Sequence, residues 1–256
     1  MSMKPIREAN AIIKLWREHG PNTYPIDLSL VLNEIVLKRT DDHVSVVTES
    51  FESFEGALIR HPDGWRILIN DGIKVRARKN FTLAHEIAHF IGHRTLQSEF
   101  KCGPKELHDF DGEGLEVEAN TFAAHLLMPP DCIRKYDERP FTAEHLLDLS
   151  EHLGVSKQAA GLRWVGLSAR KIAFVVSRDG FICWGRASAT AFAAGIFFRK
   201  DEPLLPALMS SNATDVRSEP QCFSHDPGAV HPFLACRESI HSTAIGDYIY
   251  TCLEYR

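Results

Sequence analysis

Residues 81–93 read FTLAHEIAHFIGH, and the reading of this stretch decides the rest. Ala84, Ile87, Ala88 and Ile91 recur at helical spacing, which predicts a helix with one apolar face over about 77–95. His85 and His89 stand four residues apart, one turn along the same face. Two imidazoles so placed can each give one nitrogen to a single divalent cation, at about 2.0–2.1 Å for zinc. Glu86 follows His85 directly and lies about 100° around the helix. It is therefore not a third ligand but a carboxylate within reach of water at the metal, the position of a general base. Buried apolar neighbours would keep such a site dry.

A zinc ion used for chemistry takes three protein ligands and leaves one position open. His93 repeats the four-residue step, but three successive turns diverge too far to close one tetrahedron. A further histidine at position 95 would complete another known spacing, and that residue is Thr95. The next helical stretch, LEVEANTFAAHLLMP at 115–129, offers better candidates. Glu116 and Asn120 are one turn apart, so one helix can supply a ligand carboxylate and an amide oxygen to orient a ligand imidazole. Glu118 is the rival, pointing about 200° away from Glu116. Glu116 is favoured. The ion expected is Zn²⁺, with Mn²⁺ as the substitute.

Outside these segments the chain is ordinary in composition. It has 256 residues, 44% hydrophobic and 25% charged, with a formal net charge of −5. A folded α+β protein is expected, without the basic field of a general nucleic-acid binder. No apolar run is long enough for a transmembrane helix, and the N-terminus has no uncharged apolar core of a secretion signal. A cytoplasmic protein with free thiols is expected from six scattered cysteines. Residues 4–19 and 26–37 read as amphipathic helices, and 44–47, 56–59 and 65–70 as strands. Pro62-Asp63-Gly64 turns the last two into a hairpin. Residues 100–114 read as a polar loop. Two short helices joined at Gly154 occupy 142–167. KIAFVVS and FICWG, joined at Asp179-Gly180, form a second hairpin, 200–232 is irregular, and 246–253 is a last strand.

FTLAHEIAHFIGH at 81–93 and EVEANTFAAHLLMP at 116–129, with the hairpin GALIRHPDGWRILIN upstream, resemble the ImmA/IrrE family of zinc metallopeptidases. The resemblance covers about 25–170. It implies a zincin-like peptidase fold of the gluzincin kind, with the third ligand at the first Glu of the second motif, here Glu116. It also implies a bacterial or phage setting, in which several members cut, or promote cutting of, a helix-turn-helix repressor. Asn120 stands where thermolysin-like enzymes place Asp. A small helix-turn-helix-like segment follows the peptidase domain in the family, and HLLDLSEHLGVSKQAAGLRWVGL fits it.

The organisation read from the sequence is thus a zinc peptidase domain over 1–135, a helix-turn-helix-like extension over 136–170 and a small β-rich domain over 171–256. By analogy alone, that last domain is a sensor or interaction module. His85, His89 and Glu116 bind the metal and Glu86 is catalytic. The partner expected is a protein substrate, a repressor of the helix-turn-helix (XRE) type. The alternative is a regulatory binding protein, a toxin–antitoxin or sensor component, that keeps the fold and acts by complex formation. The pair of helices at 142–167 carries a slight acidic excess over 136–170, which argues against direct DNA contact. His108, Tyr136 and His125 are candidate oxyanion stabilisers that no spacing rule separates. Arg76, Arg78 and Lys79 form a basic turn before the metal helix. Cys222, His225, His231 and Cys236 could form a second metal site, but their spacings match no strong pattern.

Overall fold

Ala9, Ile12, Ile13 and Trp16 are all buried, and this 3–4 spacing makes Pro5–His19 an amphipathic helix, α1. Pro5 suits its first turn, and the Trp16 indole N–H donates to Thr23 O at 3.1 Å where the chain leaves it. The computed structural model describes residues 3–108, 113–202, 216–217, 236–242 and 248–255. These divide into two units, residues 1–129 with 151–156, and residues 130–150 with 157–256. The protein is α+β, with one sheet in each unit.

In the first unit Asp27 caps the next helix by accepting from Ser29 N and Leu30 N, at 2.9 and 3.1 Å. That helix starts as α2 (Leu28–Leu30), widens into a π-helical segment (Val31–Val36) and ends in a 3-10 turn (Leu37–Arg39). Four strands follow, β1 (Val44–Glu49), β2 (Gly56–His61), β3 (Gly64–Asn70) and β4 (Glu99–Cys102), ordered β1-β3-β2-β4. β2 and β3 are the expected hairpin. Gly64 sits at φ 133, where a side chain would be strained, and a Cβ there would lie 2.3 Å from His43 O. β1 pairs with β3 in parallel, while β2 lies antiparallel to both β3 and β4. The hairpin is therefore interior, and β1 and β4 are the edges. In β3, Trp65, Ile67 and Ile69 are buried in alternation, as a one-sided strand requires.

Helix α3 (Arg76–Ala88) continues into a π-helical segment, His89–His93, and α4 (Leu115–Leu127) packs on both α3 and α1. Ala84, Ile87 and Ala88 of the first helix and Ala119, Phe122 and Ala123 of the second are all buried. Arg94 closes the C-terminal end of the first of them. Its guanidinium donates to Phe90 O at 2.8 Å and Ile91 O at 3.1 Å, lies over the Phe90 ring and pairs with Asp42 Oδ2 at 2.8 Å. The hydrogen bond from Arg94 holds the Asp42 carboxyl below its ordinary range. A depressed folded-state pKa stabilises fully above the unfolded value of about 3.9 and is lost as pH falls through the folded one. Asp42→Asn should accordingly lower the unfolding temperature at pH 7 by about 2–4 °C. Calorimetry near pH 2 should find little difference from the parent.

The segment expected to be a polar loop at 100–114 contains structure. Phe100 and Cys102 point inward from β4, and a 3-10 turn spans Glu106–His108. The signal was only one apolar alternation in four residues, shorter than a periodicity reading resolves.

The second unit holds α5 (Pro130–Asp137), most of α6 (Ala143–Leu153), α7 (Lys157–Leu167) and a five-stranded antiparallel sheet. Its strands are β5 (Ile172–Arg178), β6 (Phe181–Ala187), β7 (Val216–Arg217), β8 (Cys236–Ser242) and β9 (Tyr248–Tyr255), ordered β6-β5-β9-β8-β7. β5 is buried on both faces, which is why it reads as an unbroken apolar run. Ala173 and Val175 join Ile182, Leu253 and the short helix α8 (Ala189–Ala193) on one side. Phe174 meets α7 on the other, where Gly161 leaves room for its ring. Asp179 and Gly180, at φ 52 and 82, make the expected turn between β5 and β6. No helix among the described residues is long and apolar enough to cross a membrane.

Candidate metal centre

The first unit brings His85, His89 and Glu116 together. His85 Nε2 lies 2.9 Å from His89 Nε2 and 3.1 Å from Glu116 Oε2, and His89 Nε2 lies 3.4 Å from the same oxygen. Both histidines are fully buried, and Glu116 keeps partial exposure. The cause is the packing of α3 against α4, which turns one face of each toward the other.

Each imidazole is fixed from behind. Asn120 Nδ2 donates to Glu106 O at 2.8 Å, which turns its Oδ1 toward His85 Nδ1, also at 2.8 Å. An amide oxygen only accepts, so the proton of His85 sits on Nδ1 and Nε2 is bare in the neutral ring. His89 is held through a longer relay. Glu118 Oε2 accepts from the Met3 amide at 3.1 Å and from His93 Nε2 at 3.0 Å. His93 Nδ1 is then the acceptor for His89 Nδ1, 2.9 Å away, which leaves His89 Nε2 bare as well. Glu118 is thus not in the cluster but two bonds behind it. His93 is not a ligand candidate either, because it spends both nitrogens on the relay. The π-helical step at His89–His93 sets this spacing.

Two imidazole lone pairs and a carboxylate oxygen now converge with no proton assigned between them. Burial opposes ionisation of Glu116, but hydrogen bonds and charge from His85 and His89, when these rings carry a proton toward it, outweigh burial and hold the carboxyl well below the ordinary range. Burial also pushes His89 down, to about 4, so at neutral pH this ring offers a lone pair rather than a charge. Such an arrangement is repulsive unless a cation sits in it, and the donor types suit a divalent one. His85, His89, Cys102 and Glu116 form a possible metal-binding group, their donor atoms all within 4.8 Å of one another.

Glu86 is fully buried, and its carboxyl oxygens make no hydrogen bond of ordinary geometry among the described residues, though the Cys102 thiol lies close enough to interact with it. Burial raises its pKa well above the ordinary value, and the charge of Glu116 adds to the effect. It sits against β2 where that strand has no side chain. A Cβ at Gly56 would fall 2.6 Å from Glu86 Oε1 and 2.5 Å from Thr82 Cγ2. Gly56 is also the residue paired with Cys102 across β2 and β4.

Cys102 is the residue that sequence reading missed. It is buried, with Sγ 3.6 Å from His89 Nε2 and 3.7 Å from Glu116 Oε2. Its neighbour Phe100 stacks on His89, ring centroids 4.4 Å apart. Burial raises the thiol pKa, as do the charges of Glu86 and Glu116.

The other sequence candidates lie elsewhere. His125 sits on α4, its Nδ1 3.0 Å from Thr121 O. Tyr136 belongs to the second unit, where its hydroxyl donates to Asp148. Arg78 of the basic turn forms a bidentate pair with Glu55. The side chain of His108 lies outside the described residues, as do Cys222, His225, His231 and the side chain of Cys236.

Residues 40–165 match the family model described as Peptidase_M78, IrrE N-terminal-like domain. A curated relative, "Uncharacterized immunity region protein 2" of Bacillus phage phi105, is 33% identical over 97 residues. The alignment covers 38% of this chain and 57% of that protein, little more than half its length. Among solved structures, a "Mycobacterium tuberculosis transcriptional regulator" shares the fold, with a TM-score of 0.54 at 15% identity over 98% of this chain and 76% of that one. The match surrounds His85, His89 and Glu116, and over residues 40–165 the chain belongs to the ImmA/IrrE family, as an IrrE N-terminal-like domain.

Proposed function

We infer that the protein is a zinc-dependent endopeptidase acting on another protein, with a helix-turn-helix repressor as the substrate class. The observation that carries this reading is Glu86, a fully buried carboxyl with no hydrogen bond of ordinary geometry among the described residues, next in sequence to a cluster of donors that could hold a cation. A structural metal site has no use for such a group, and its burial costs stability.

His85 Nε2, His89 Nε2 and Glu116 Oε2 would hold the ion. Bound there, zinc would supply Lewis acidity, polarising a scissile carbonyl and acidifying water. Glu86 takes a proton from the attacking water onto a carboxyl oxygen and hands it to the leaving amine. Its raised pKa suits it to carry that proton between the two steps. Asn120 and the His93–Glu118 relay keep the ligand rings aimed. In this reading 142–167 is a helix-turn-helix-like docking element rather than a DNA contact, and the protein works in the cytoplasm of a bacterium, whether host- or phage-encoded. The similarity to a phage immunity-region protein supports a regulatory setting.

Glu86→Gln tests it. The substitution keeps the metal ligands and removes the base. Purified variant should bind as much zinc as the parent and cleave a co-expressed repressor about 10²–10⁴-fold more slowly. An unchanged effect on the repressor would favour the binding-protein reading instead.

A further inference from the structure

We propose that Cys102 is a fourth ligand of the metal, so that the resting site is a closed Cys-His₂-Glu tetrahedron and the peptidase is latent. The proposal rests on the metallopeptidase reading above and goes beyond its three ligands.

The geometry carries it. Bond lengths of about 2.0–2.2 Å to N and O and 2.3 Å to S, at tetrahedral angles, imply donor edges of about 3.3 Å among N and O atoms and about 3.6 Å to sulfur. The three N/O edges here are 2.9, 3.1 and 3.4 Å. Two of the sulfur edges are 3.6 Å to His89 Nε2 and 3.7 Å to Glu116 Oε2. Sγ stands nearly equidistant from two donors of the cluster, and all four donor atoms lie within 4.8 Å of one another.

Its placement is enforced by backbone. Cys102 O accepts from Glu55 N at 3.0 Å, and the following residue, Gly103, donates its N–H to Glu106 Oε2 at 3.0 Å. Glu106 O in turn holds Asn120, and Asn120 holds His85. The loop after β4 therefore positions both the thiol and one ligand ring. Thiolate is also a strong zinc donor, and the thiol proton would leave to solvent as the metal binds. With the fourth corner taken by sulfur, Glu86 has no water beside it to deprotonate.

The test is zinc K-edge absorption spectroscopy on the full-length protein, paired with its zinc content. Wild type should carry one zinc with a single sulfur neighbour at about 2.3 Å besides its N/O shell. Cys102→Ser should keep the zinc and lose the sulfur, which separates Cys102 from the other cysteines. Cobalt substitution offers an independent reading, a thiolate-to-cobalt charge-transfer band present in wild type and absent from Cys102→Ser. Cys102→Ala serves if the serine variant misfolds. One zinc bound with no sulfur, or a sulfur that persists in Cys102→Ser, overturns the proposal while leaving the three-ligand site intact. No zinc in any form of the protein overturns both.

Discussion

Glu116→Ala protein, purified without chelators, should hold no stoichiometric metal. Glu118→Ala protein should still bind one ion per chain, about 10–100-fold more weakly than wild type. The difference follows from the bonds each carboxylate makes. Glu116 Oε2 touches both ligand imidazoles, so its removal takes away a donor and the charge that a divalent ion needs. Glu118 binds His93 and the Met3 amide, so its removal loosens the relay that holds His89 and leaves the donors in place. Mass spectrometry of the bound metal, followed by zinc titration, reads both effects. Equal loss in the two variants, or loss confined to Glu118→Ala, would refute the assignment.

Trp164→Ala should be the most destabilising single change in the second unit. Trp164 is fully buried, edge-on to Phe141 and Tyr136, with ring centroids 5.0 and 5.9 Å away. Its indole N–H donates to Asp137 Oδ1 at 2.9 Å. Truncation leaves a cavity and strips a carboxylate of its donor. The expected cost is about 3–5 kcal/mol, on the order of 10 °C in unfolding temperature. Trp164→Phe keeps most of the volume and loses the hydrogen bond, so it should cost about 1–3 kcal/mol. Zinc content should be unchanged in both, because Trp164 belongs to the other unit. A Trp164→Ala protein that melts with the parent would contradict this account of the core.

The legibility of this molecule followed the length of its patterns. α1, α4 and the hairpin β2–β3 announce themselves through many residues at one period, with Pro62-Asp63-Gly64 as punctuation. His85, Glu86 and His89 were readable because the helix itself fixes their relation. Glu116 was separable from Glu118 by angle on one helix. What escaped was set by pairing between distant segments. β4 has four residues, and only its ladder to β2 makes it a strand. Cys102 reaches the cluster because that ladder places it opposite Gly56, a relation about 46 residues long that no local period records. β8 shows the same limit, since its partner β9 comes after it and its own sequence alternates weakly. His93 was set aside as a ligand on spacing, yet its use in orienting His89 depends on the π-helical step, which the sequence spacing does not reveal.

The sheet order carries a consequence for how a substrate would be met. Among the described residues, the first sheet offers a docking peptide two edges, β1 and β4, because the hairpin is already paired on both sides. Of these, only β4 brings a donor of the metal cluster. A chain arriving there would grip the very strand whose thiol lies beside His89 and Glu116. Recognition and unlocking would then be one event, and a polypeptide without the right extended segment would find the door shut however much of it was present.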